Sequence, residues 1–66
     1  MSDFAISDHG GIFLVHSLSN DSLQHLKERV GDDALWYGLA LVVEHRYIDI
    51  VCSSLVSEGF ELEAAA

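Results

Sequence analysis

A small α+β domain, with two helices packed on one face of an antiparallel sheet, is expected from three features of this 66-residue chain. Apolar residues recur at helical spacing in two stretches, one from Leu23 and one from Ile48. Short runs rich in β-branched and aromatic residues lie before, between and after them. Glycines punctuate these runs, and there is no proline. Hydrophobic residues make up 50% of the chain, which separates it from a disordered acidic segment.

Each element has its own justification. Phe4 and Ile6 alternate with Asp3, Ala5 and Ser7 at period two, the pattern of a short edge strand. Asp8-His9-Gly10-Gly11 reads as a turn. Ile12-Phe13-Leu14-Val15, continuing into His16-Ser17, is an apolar run suited to a central strand and pairs naturally with Phe4–Ser7. Ser19-Asn20-Asp21 starts a helix: Ser19 or Asn20 can accept from an orphan N–H, and Asp21 suits the positive end of the dipole. Leu23, Leu26 and Val30 form its stripe, Lys27 and Arg29 lie near its negative end, and Gly31 ends it. Asp32-Asp33 is a loop. Leu35 to Val43 is expected to be a hairpin folded at Gly38-Leu39, because a glycine inside a strand run marks a bend. Arg46 to Glu58 is a second helix, with Ile48, Val51, Cys52, Leu55 and Val56 on one stripe and Gly59 closing it. Phe60 and Leu62 alternate with Glu61 and Glu63 in a final edge strand.

The order is one added strand followed by strand-helix-strand-strand-helix-strand. That is the split βαβ, ferredoxin-like order with an extra N-terminal edge strand. The length allows one domain, residues 1–63. Residues 64–66 read as a disordered tail of the kind left by cloning. At about 1.5–3 kcal/mol per buried side chain, so small a core only just offsets chain entropy. A homodimer formed through the open sheet face is therefore one expectation.

Composition excludes several functions. Three Lys plus Arg face eleven Asp plus Glu, a net charge of −8, so direct binding to nucleic acid or to an anionic membrane is not expected. One cysteine excludes an internal disulfide. A lone cysteine fits the reducing cytoplasm, and neither a basic, apolar leader nor a spanning segment is evident.

Catalytic and metal chemistry find little support. Glu44 and His45 could form an acid–base pair, but adjacent strand residues point to opposite sides. Glu44 is better read as a carboxylate near a helix N-terminus, bonded to Arg46. Cys52 lies on the apolar stripe, where a thiol is inert. His9, His16, His25 and His45 lack metal-ligand spacing, and Gly10-Gly11 lacks a phosphate-loop context. No enzyme, metal or cofactor is expected.

The charge is uneven. From Asp32 onward seven acids face Arg46 alone, a local sum of −6. Carboxylates held at intervals of several ångströms on a rigid surface can imitate duplex phosphates, although acidity also serves plain solubility. The runs Gly11-Ile12-Phe13-Leu14, Asp32-Asp33-Ala34-Leu35-Trp36-Tyr37-Gly38 and Ala40 through Ile48, with Gly59-Phe60, resemble small acidic proteins of phages and mobile elements of proteobacteria. The strongest part is Val42-Val43-Glu44-His45-Arg46-Tyr47-Ile48. In size, acidity and expected fold the chain is similar to anti-CRISPR proteins acting on type I systems, including type I-C. The resemblance implies a stoichiometric inhibitor in the bacterial host that mimics DNA and blocks target loading onto the Cascade complex. Its partner would be the basic DNA-binding groove of a Cas protein. The acidic surface expected to meet that groove comprises Asp32, Asp33, Glu44, Asp49, Glu58 and Glu61. The competing reading is a protein-interaction or regulatory module that uses an apolar sheet face, with Phe13, Trp36 or Tyr37 as anchors.

Overall fold

A computed structural model describes residues 2–65 of the chain. Strand β1 (Phe4–Asp8) turns through Gly10 and Gly11 into β2 (Ile12–Ser17), and the two pair antiparallel from Phe4↔Ser17 to Asp8↔Phe13. The turn is closed by the Gly10 N–H donating to Asp8 Oδ1 at 2.9 Å and the His9 N–H donating to the Ile12 carbonyl at 2.9 Å. Helix α1 (Asn20–Val30) is capped by Ser19, whose Oγ accepts from the Ser22 N–H at 3.1 Å. Gly31 ends it at φ 72°, ψ −162°, a conformation open essentially to glycine alone.

Strands β3 (Trp36–Tyr37) and β4 (Ala40–Glu44) form the expected hairpin. Gly38 takes φ 61° at the first position of the two-residue turn, the glycine requirement of a II′ hairpin. A 3₁₀ turn over His45–Tyr47 then leads into α2 (Ile48–Ser57). The second helix was expected from Arg46, but its first turn is tightened instead, as is frequent at helix N-termini. Its C-terminus is a Schellman motif, with the Phe60 N–H on the Leu55 carbonyl and the Gly59 N–H on the Val56 carbonyl. Strand β5 (Leu62–Ala64) follows.

The five strands form one mixed sheet in the order β3-β4-β2-β1-β5, with two helices. Two expectations are corrected here. Strand β1 is not an edge strand: it lies between β2 and β5 and pairs with both. The sheet is not wholly antiparallel, because β5 runs parallel to β1, with Phe4↔Leu62 and Ile6↔Ala64. The physical reason lies in Phe4, which has 0% exposure and packs edge-to-face on Phe60, ring centroids 5.4 Å apart. A ring of that size at an edge would leave apolar surface in water. The last strand also starts later than the expected Phe60–Glu63 run, since Phe60 is taken up by the helix-end motif and by Phe4. Ala64 and Ala65, expected in a tail, extend the sheet: Ala64 pairs with Ile6, and the Ala65 N–H donates to the Ile6 carbonyl at 2.8 Å. Ala66 lies outside the described residues.

Strand alternation sorts the side chains into two faces. Phe4, Ile6, Phe13, Val15, Trp36, Leu41, Val43 and Leu62 face the helices, where Leu26, Val30, Ile48, Val51, Cys52 and Leu55 meet them in one core. Ala5, Ser7, Ile12, Leu14, His16, Tyr37, Ala40, Val42, Glu44 and Glu63 share the opposite face by register. Among the described residues no helix packs on that face.

Candidate functional site

The topology divides the six expected carboxylates between two ends of the sheet. Strand β4 ends at Glu44 opposite Ile12, the start of β2, and α2 begins there with Asp49 in its first turn. Because β3 runs parallel to β2, the loop carrying Asp32 and Asp33 reaches the same end. Asp33 and Glu44 line one shallow hollow of about 380 Å³ with Val30, Leu35 and Tyr47. Asp49 lines a neighbouring hollow of about 510 Å³ with Asp8, Glu63 and Cys52. Glu58 and Glu61 sit at the far end, after α2 and before β5.

The partners of these groups differ as much as their positions. Glu58 is engaged: Oε1 accepts from His25 Nε2 at 3.0 Å, and Oε2 pairs with Arg29 Nη1 at 2.7 Å. Arg29 also donates to Ser54 Oγ, and the His25 ring packs at a tilt on Phe60, centroids 4.6 Å apart, so His25 is held between Glu58 and Phe60. The Glu61 backbone is tied to Asp3, whose Oδ2 accepts from the Glu61 N–H at 2.9 Å. Glu44 pairs with Arg46 at 3.2 Å and makes no capping bond, which answers half of its expected role. Among the described residues Asp32, Asp33 and Asp49 have no side-chain hydrogen bond or ion pair. Their full charge is presented to solvent at one end.

Two other groups bear on chemistry. Cys52 is half-buried, and its thiol is pushed up from the ordinary value by burial and, second, by the Asp49 carboxylate. A thiol in that state is a poor nucleophile. Ser7 Oγ lies 2.8 Å from His9 Nε2 and 2.9 Å from His16 Nε2 on the open sheet face. The hydroxyl has one proton and two lone pairs, so it donates to at most one imidazole and accepts from at least one. Sequence reading missed this trio, although Ser7 and His16 fall on neighbouring register positions once the hairpin is drawn. Neither imidazole has a carboxylate partner among the described residues, so the third group that orients the base in a nucleophile–base pair is not among the contacts of this trio. Among the described residues there is no group of three His, Cys, Asp or Glu placed to hold a metal ion. Their helices include none long and apolar enough to cross a membrane.

The aromatic anchors expected on an apolar sheet face also separate. Phe13 and Trp36 pack toward the helices, and Tyr37 alone stands on the open face, 72% exposed. Adjacent residues on a strand point to opposite sides, so Trp36 and Tyr37 could not both serve. No protein-family model, curated protein or solved structure matches the chain.

Proposed function

We propose that this chain is a non-catalytic inhibitor of the anti-CRISPR type, acting in the bacterial cytoplasm, whose acidic end enters the basic DNA-binding groove of a type I Cascade complex. The observation that carries the reading is the gathering of Asp32, Asp33, Glu44 and Asp49 at one end, three of them without a partner. The resemblance of the Val42–Ile48 run to small acidic phage proteins supports it as well. On this reading the domain is a split βαβ unit with β1 inserted beside β5. It needs no metal, cofactor or direct contact with nucleic acid.

The test is competition for target DNA on purified type I-C Cascade, at about 50 and 200 mM salt. Wild-type inhibition should weaken steeply at the higher salt. The Asp32→Lys/Asp33→Lys double variant should lose at least tenfold in potency, whereas Glu58→Gln should retain it. Full potency in the folded double variant, or inhibition insensitive to salt, would overturn the proposal.

A further inference from the structure

We propose that His9 and His16, with the Ser7 hydroxyl between them, form a chelating site for a divalent transition-metal ion, Cu(II) in preference to Ni(II) or Zn(II). The site uses none of the acidic-end residues, and the inhibitor reading requires no metal, so the two stand apart. What carries the inference is convergence. Both rings bring the same nitrogen, Nε2, to one oxygen: His9 at 2.8 Å and His16 at 2.9 Å from Ser7 Oγ. Imidazole is the commonest metal ligand and suits copper, nickel and zinc. The backbone fixes the arrangement. Pairing of Ala5 with His16 and of Ser7 with Leu14 makes Ser7 and His16 diagonal neighbours on one face. The turn holds His9 in reach of both, through the bond of its N–H to the Ile12 carbonyl and that of the Gly10 N–H to Asp8 Oδ1.

The spacing selects the class of ion. Ligands about 2.0 Å from a metal and at right angles to one another lie about 2.9 Å apart, whereas tetrahedral ligands lie about 3.3 Å apart. The two nitrogen–oxygen separations match the right-angled case, the tetragonal geometry of Cu(II) and Ni(II), and Cu(II) binds such N,O sites the more tightly. Each ring would coordinate through Nε2 as the neutral Nδ1–H tautomer, and the hydroxyl would keep its proton and offer a lone pair as a weak third ligand. Water takes the remaining positions. Two imidazoles fall short of the three-residue set of a resident centre, so the ion is exchangeable. Access is open, since His9 and His16 each line a shallow hollow, of about 240 and 230 Å³, and Tyr37 lines both. The field also favours a cation: the chain carries −8, and Lys27, Arg29 and Arg46 all lie outside β1, β2 and their turn.

Calorimetric titration of the whole chain with CuCl₂ and with NiCl₂, in a non-coordinating buffer, tests this. The wild type should take up one ion per chain, Cu(II) more tightly than Ni(II), and the Cu(II) electron paramagnetic resonance spectrum should show two nitrogen ligands. His9→Ala and His16→Ala should each weaken binding about tenfold or more, and Ser7→Ala by less than either. His45→Ala, at an exposed ring that lies against Phe13, should leave it unchanged. NiCl₂ should raise the unfolding temperature of the wild type and not that of the folded His9→Ala/His16→Ala variant. A wild type that binds no ion at about 100 μM CuCl₂ would overturn the proposal. So would undiminished binding in the folded double variant, because carboxylates would then hold the ion, or a spectrum with a single nitrogen ligand.

Discussion

Replacing Phe4 by alanine tests whether β1 belongs to the interior of the sheet. Phe4 has no exposed surface, neighbours Ser17 on β2 and Leu62 on β5, and packs edge-to-face on Phe60. Truncating a buried phenylalanine costs about 3–5 kcal/mol through lost transfer energy and the cavity left behind. About 0.5–1.5 kcal/mol of ring–ring attraction is part of that loss. A 66-residue domain has roughly 3–10 kcal/mol of total stability. Phe4→Ala should therefore bring the protein close to its unfolding midpoint without denaturant. Phe4→Leu, which keeps most of the volume, should cost less than about 1.5 kcal/mol. Urea titration followed by Trp36 fluorescence, at one fixed protein concentration, reads both values. A cost below about 1 kcal/mol for Phe4→Ala would refute the placement of β1, because only a peripheral strand tolerates such a loss.

Other perturbations separate the remaining elements. Ser19→Ala removes the cap of α1 and should lower stability by about 0.5–2 kcal/mol by urea titration, whereas Ser17→Ala removes a buried hydroxyl that has no partner among the described residues and should be neutral or stabilising. Glu58→Gln breaks the pairs with Arg29 and His25 and should cost about 0.5–1 kcal/mol, less at 1 M salt. Alkylation of Cys52 should be slower in the folded protein than in urea, with its pH midpoint above that of a free thiol, and Asp49→Asn should move the midpoint part of the way back. Because the folded pKa is raised, Cys52 adds no pH dependence to stability well below about pH 8.5, and stability falls as pH rises through the folded value.

What could be read from the sequence follows from which interactions are local. The Gly38 hairpin and the Ser19 cap are set by neighbours within a few positions and stand where their residues require; the stripe of α2 does too, except at Val56, which the helix turns outward to 57% exposure. The place of β1 is different. Alternation at Phe4 and Ile6 reads alike in an edge and an interior strand, because pairing partners 58 residues away leave no mark on a five-residue pattern. The same gap hid the role of Ala64, whose only structural signal is its register with Ile6. Composition located the acidic half of the chain but not its division, since Asp49 sits in the first turn of α2 and Glu58 caps its far end. Its length separates them.

Charge density sets how far any mimicry of DNA can extend. The longest dimension is 27 Å, the span of about eight base pairs carrying roughly sixteen phosphates. The whole chain has a net charge of −8, and the acidic end brings together Asp32, Asp33, Glu44 and Asp49, one of them shared with Arg46, with Asp8 and Glu63 beside Asp49. On the proposed reading, such a surface would replace a few consecutive phosphates and not a duplex. Its salt dependence should then correspond to about three or four displaced contacts, with a logarithmic slope near −3. A slope much steeper than −4 would mean that carboxylates beyond these four take part in binding.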